Sequence, residues 1–196
     1  MKSKLLIIAL IVIAHTGYTQ ISSGNLLIGG SAQFRSSDNA DIQSITISPN
    51  IHYFINDNIS FGGTLGYNTQ RNNIGANDFV RTNTFSIGPE ARYYMELGES
   101  LFFYGAGRIG LGFGGSNAIT GNSNTDLNDL STFSFNLNPG ILFTPGSKIG
   151  FNFELNLFTY RRVSNTPAGS NTSAISNEIV LGPNTFTPTF GLFYIL

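Results

Sequence analysis

Few side chains in this sequence could do chemistry. Glu90, Arg92, Arg108 and Glu154 are isolated charges inside otherwise apolar stretches, and His52, Asn136, Asn138 and Asn152 hold similar positions. Two carboxylates and two guanidiniums can neutralise one another as a structural plug, or line a gate or proton path. His52 is a candidate general base, a role that needs a nucleophile and an orienting acid within hydrogen-bond reach. Asp38, Asp41, Asp126 and Asp129 offer oxygen ligands, but none falls in a calcium loop with its glycine and closing glutamate, so no metal site is expected. Gly105-Ala106-Gly107 and the glycines within residues 110–115 precede no helix pattern, so they are not phosphate loops. Residues 171–173 fit a glycosylation sequon, a weak pattern. Cysteine is absent, which removes disulfides, thiol nucleophiles and thiolate metal sites.

Hairpins carry these residues. In residues 44–67, Ile45, Ile47, Pro49, Ile51 and Tyr53 share one parity, and Ser44, Thr46, Ser48, Asn50 and His52 share the other. That is the period-2 signature of a strand with two different faces. Asn56-Asp57-Asn58 turns the chain, and the alternation resumes through Ile59, Phe61, Leu65 and Tyr67. Residues 87–112 and 137–158 repeat the pattern, and residues 185–196 form a half copy. Each copy has a proline in the corresponding place: Pro49, Pro89, Pro139 and Pro188. Repeated strand hairpins predict an antiparallel meander. The prolines are expected at bulges or local breaks near one rim, since proline cannot donate to a ladder.

In order, strands are expected at residues 24–35, 44–55, 59–67, 82–95, 101–114, 131–143, 148–160 and 185–196. Connections alternate between short and long, with polar loops at 69–81, 115–130 and 161–184. Charged residues make up 11% of the chain and hydrophobic residues 41%, too few charges to cover a soluble protein, where about 25% is usual. The net charge of −1 and the absence of basic clusters argue against nucleic acid as a partner. Residues 1–19 read as a secretory signal peptide: Lys2 and Lys4, an apolar run over 5–14, then Gly17-Tyr18-Thr19. Residues 20–196 then form one exported domain.

Period 2 alone leaves two faces open. A lipocalin-like soluble barrel would turn the apolar parity inward around a ligand, whereas a transmembrane barrel would turn it toward lipid. Scarce charge and aromatics near strand ends (Tyr53, Tyr67, Tyr93, Phe143, Phe158 and Tyr194) favour the second, as interface girdles require. Glu90, Arg92, Arg108, Glu154, Asn152 and His52 would then face the lumen. His52 would sit near a periplasmic turn, far from the outer leaflet, so no catalytic residue is expected.

The stretches LLIGGSAQF, SPNIHYFINDNISFGGTLGY, NPGILFTPGSKIGF and FGLFYIL, together with the leader ending before Gln20, carry a resemblance. The chain resembles the small outer-membrane β-barrel proteins of Bacteroidota, related in architecture to the OmpA transmembrane domain and to OmpX-like barrels. The resemblance covers essentially the whole mature chain, and its motifs specify a barrel rather than an activity. It implies an all-β, eight-stranded, antiparallel up-and-down transmembrane β-barrel in the bacterial outer membrane, non-enzymatic and without cofactors. Implied partners are outer-membrane lipid, the barrel-assembly machinery through the C-terminal strand, and an external partner at the loops, with the protein a monomer. Such barrels often end in Phe; here Tyr194 keeps the outward parity two places before Leu196. Three alternatives remain: a narrow channel gated by the luminal charges, an outer-membrane lipid-modifying enzyme, and a soluble binding barrel.

Overall fold

The computed structural model describes residues 21–37, 42–74, 78–146, 148–182 and 189–196. Residues 1–20 and Pro188 lie outside them, so the expected leader and the fourth proline do too. Ten antiparallel strands are present, with no helix among the described residues: β1 (Leu26–Ser37), β2 (Ile42–Asn56), β3 (Ile59–Asn73), β4 (Phe79–Gly98), β5 (Leu101–Thr120), β6 (Ser123–Phe143), β7 (Ile149–Glu154), β8 (Phe158–Pro167), β9 (Ala174–Leu181) and β10 (Thr189–Ile195). Pairing closes a circuit in the order β1, β2, β3, β4, β5, β6, β7, β10 and back to β1, which uses eight of the ten strands. β8 pairs with β6 beyond the stretch that β7 occupies, and β9 pairs with β8.

The expected eight strands are therefore found in part. The strand read over residues 148–160 is divided into β7 and β8 by residues 155–157, and the last strand is described from Thr189 onward, residues 183–188 lying outside the described residues. Three expected loops are corrected. Residues 69–73 continue β3 and residues 79–81 open β4, paired from Thr69↔Asn83 to Asn73↔Phe79. Residues 115–130 are mostly the continuing strands of the β5–β6 hairpin, which turns at Gly121 with φ 57°, a left-handed angle that favours glycine. Residues 161–184 contain the end of β8 and all of β9. Polar side chains hid these strands, because beyond an apolar band both faces are wet and period 2 disappears from the composition.

At the opposite end the turns are tight. Asn56 Oδ1 accepts from the amides of Asn58 at 2.9 Å and Ile59 at 2.8 Å, closing the β2–β3 turn. Register shifts between Phe54 and Asn56 and between Glu96 and Gly98 place an irregularity before each of the first two short turns.

The prolines do interrupt ladders, always toward the next strand. The β2–β3 pairs omit Ser48 and Pro49, and the β4–β5 pairs omit Gly88 and Pro89, in each case without a register shift. Pro139 lies where β6 leaves β8 for β7, and its carbonyl accepts from the Leu155 amide at 2.9 Å. These breaks are not at the rim as expected. They sit beside Asn50, Glu90 and Asn138, at the height of the charged residues.

The sheet's two faces are sharply different. Outward rows expose Ile47, Ile51, Phe61, Leu65, Ile87, Leu111, Phe151 and Leu192, while the inner face buries His52, Glu90, Arg92 and Glu154. Near the short turns the interior is apolar rather than polar: Leu27, Phe54, Phe102, Leu142, Phe193 and Ile195 are buried with Tyr94 and Tyr104. Ring centroids of Phe54 and Tyr94 lie 5.0 Å apart, and those of Tyr94 and Tyr104 5.4 Å apart, within the range of favourable aromatic pairs.

Candidate functional site

Glu90 and Arg92 are two residues apart on β4 and therefore share the inner face. Arg108 is the direct cross-strand partner of Glu90 on β5. Glu90 Oε1 accepts from Arg92 Nε at 2.5 Å, and Oε2 accepts from Arg108 Nε at 2.5 Å and from Thr64 Oγ1 at 3.2 Å. Glu154 arrives from β7, with only Gly140 of β6 between it and Tyr104 of β5, and places Oε1 3.5 Å from Arg108 Nη2 and Oε2 4.0 Å from Arg92 Nη2. The four charges thus alternate around a closed loop of net charge zero. Pairing of this kind offsets the large desolvation cost of each ion, and removal of one member leaves its partners uncompensated.

Neutral groups complete the loop. Asn138 Nδ2 donates to Glu154 Oε1 at 2.8 Å, and Tyr104 Oη donates to Glu154 Oε2 at 3.2 Å while accepting from Asn152 Nδ2 at 3.0 Å. The Arg92 guanidinium also lies 4.9 Å from the Tyr104 ring centroid and 5.4 Å from that of Phe193, close enough for cation–π attraction. All six luminal residues expected from sequence therefore belong to one cluster. Tyr104, Tyr94, Thr64 and the apolar plug were missed. The signal for the aromatic ones was present in adjacent aromatic pairs such as Tyr53-Phe54, Tyr93-Tyr94 and Phe103-Tyr104, where one ring must face inward if the other faces out.

His52 is fully buried, and its Nε2 lies 3.7 Å from Glu90 Oε1. Gly62 stands between their strands, and a Cβ there would meet His52 Nδ1 at 2.6 Å, so the glycine is what admits the imidazole. Neither ring nitrogen has a hydrogen-bond partner. Among the described residues, then, no hydroxyl is hydrogen-bonded to the ring as the nucleophile of a general base would be. Above the charges, a polar cavity of about 90 Å³ is lined by residues that include Ser48, Asn50, Thr64 and Asn152. Below them the aromatic plug fills the lumen. The arrangement can hold a barrel shut at one end, and among the described residues no group of histidine or acidic side chains could hold a metal ion.

The expected interface aromatics divide into two sets. Tyr53, Tyr93, Phe143 and Tyr194 are exposed outward near the short turns. Tyr67 is at the other border of the apolar rows, where Thr69 and Arg71 follow on the same parity, and its hydroxyl donates to Asn83 Oδ1 at 3.3 Å. Phe158 is one outward position inside that border. The residue at the border is Tyr160, whose hydroxyl donates to Asn177 Oδ1 at 3.2 Å, the same geometry as Tyr67 and Asn83.

No curated protein compared with the chain matches it. Among solved structures, the chain is similar to Neisserial surface protein A (NspA), with 14% identity and a TM-score of 0.48 over 87% of this chain and 95% of that one. It is also similar to the N-terminal β-barrel domain of Pseudomonas aeruginosa OprF, with 12% identity and a TM-score of 0.42 over 89% of this chain and 99% of that one. The family model described as the outer membrane protein beta-barrel domain matches residues 5–186, and the chain belongs to that family.

Proposed function

We propose that the chain is a non-enzymatic, eight-stranded outer-membrane barrel, closed on its periplasmic side, whose working surface is the set of hairpins at the opposite rim. The observation that carries this reading is the segregation of the closed sheet: large apolar side chains exposed outward, paired charges buried inward. A soluble binding barrel would need a polar exterior, whereas this chain exposes rows of large apolar side chains there. On β4 the outward row from Phe85 to Met95 runs ~33 Å at ~3.3 Å per residue. At the ~35–45° tilt of outer-membrane strands this is ~25 Å of height, the thickness of the apolar band such barrels carry.

In this reading residues 1–19 are a signal peptide, and β10, with Leu192 and Tyr194 facing outward, is the strand read by the assembly machinery. The protein works as a monomer in outer-membrane lipid. The surface hairpins, chiefly β5–β6 and β8–β9, meet an external partner. Heat-dependent electrophoretic mobility of the protein from the outer-membrane fraction tests this: a shift on boiling is expected. Recovery from the soluble periplasm with no shift would overturn it.

The channel reading is less well supported. Phe54, Tyr94 and Tyr104 pack across the lumen beneath the charges that would have served as its gate.

A further inference from the structure

Arg71 and Arg81 are direct cross-strand partners in the β3–β4 ladder, both exposed and both on the lipid-facing parity. Like charges directly opposite repel, and no carboxylate pairs with either among the described residues. They are nonetheless held together. Arg71 Nε donates to Asn73 Oδ1 at 2.8 Å, and both guanidinium carbons sit against the Phe79 ring, 3.9 Å and 5.3 Å from its centroid.

Beneath them opens a cleft of about 290 Å³ with two characters. Phe34, Ile45 and Tyr67 supply an apolar part, and Arg71, Arg81 and Asn83 a polar one. It straddles the border of the apolar rows, since Leu65 and Phe61 lie below Tyr67 on β3 and Thr69 and Arg71 above. The border is the one remote from the short turns, which in outer-membrane barrels faces the outer leaflet.

We propose that this cleft binds the phosphorylated headgroup of an outer-leaflet lipid. Arg71 and Arg81 hold the phosphate between them, and Phe34, Ile45 and Tyr67 receive the adjoining acyl chain. Guanidiniums bind phosphate oxygens through paired, charge-assisted hydrogen bonds, and an anion between the two arginines converts their repulsion into attraction. The apolar half distinguishes a lipid from free phosphate, which would leave Phe34 and Ile45 without a partner. The inference rests on the outward assignment of the apolar face made above.

The test is native mass spectrometry of the full detergent-folded chain. The probes are monophosphoryl lipid A, the same lipid dephosphorylated, and inorganic phosphate as competitor. The wild type is expected to retain the phosphorylated lipid at least tenfold better than the Arg71→Gln/Arg81→Gln variant. It should discriminate similarly against the dephosphorylated lipid and ignore millimolar inorganic phosphate. An Arg71→Lys/Arg81→Lys variant should fall between, keeping charge but losing the fork. Equal retention by the wild type and the Gln variant, or of the two lipids, would overturn the site, as would displacement by inorganic phosphate. Heat-dependent mobility of every preparation separates the two levels: a folded barrel without lipid preference loses the site alone, whereas no mobility shift in the wild type removes the outward assignment and the site with it.

Discussion

Gly140 faces Tyr104 across the β5–β6 ladder, and the phenol lies over it so closely that a Cβ on Gly140 would collide with the ring. The ring cannot swing aside freely, because its hydroxyl is bonded to both Glu154 and Asn152. Gly140→Ala should therefore cost about 1–3 kcal/mol, the usual penalty of overpacking. The check is the temperature at which the barrel loses its folded electrophoretic mobility, which should fall. An unchanged temperature would mean that the phenol is not fixed.

Breaking the charge loop from one side should cost more than dismantling it evenly. Glu90→Gln leaves Arg92 and Arg108 without their shared carboxylate, a loss of about 3–5 kcal/mol by analogy with other buried pairs. Adding Arg108→Gln removes one of the stranded cations, so the double variant should be less destabilised than the sum of the two singles. Denaturant-induced unfolding in detergent measures all three. Simple additivity would indicate that the two residues are not coupled.

His52 carries two buried nitrogens without partners. Replacing such a group by an apolar one of similar size removes its desolvation cost. His52→Leu should leave stability within about 1 kcal/mol of the wild type, and the lipid A mass profile of the cells should not change. A mass change would restore the lipid-modifying alternative.

Planar-bilayer recordings should show no discrete conductance for the wild type. Tyr104→Ala with Phe54→Ala removes two rings of the plug, each such truncation costing about 3–5 kcal/mol. If the variant still folds, small conductance steps should appear. Conductance in the wild type would contradict the closed lumen.

The upper part of the β5–β6 hairpin extends past the border marked by Tyr67. Deleting residues 117–127 and rejoining Ser116 to its cross-strand partner Asn128 through a two-residue Asn-Gly turn should leave heat-dependent mobility intact, since the lower ladder from Leu101↔Phe143 to Phe113↔Ser131 is untouched. Failure to assemble would assign the hairpin a structural role.

The sequence made legible the hairpins, the parity of their apolar segments and the turn at residues 56–58, because side chains alternate strictly across a strand and Asn56 can accept from the amides that follow it. It also placed Glu90, Arg92, Arg108, Glu154, Asn152 and His52 on one face, since parity is a local property. Which of those charges meet was settled only by the tertiary structure. Glu154 reaches Arg92 and Arg108 over the inner face of β6, where Gly140 pairs with both Glu154 and Tyr104, and no local pattern encodes the offset between strands distant in the chain. Closure of the sheet through β10 decided that Phe54, Tyr94 and Tyr104 form a plug rather than a second girdle, because an aromatic pair reads alike from either side until the inside of the sheet is known. It likewise moved the upper border from Phe158 to Tyr160, since the height of a residue depends on register across neighbouring strands, not on its place within one.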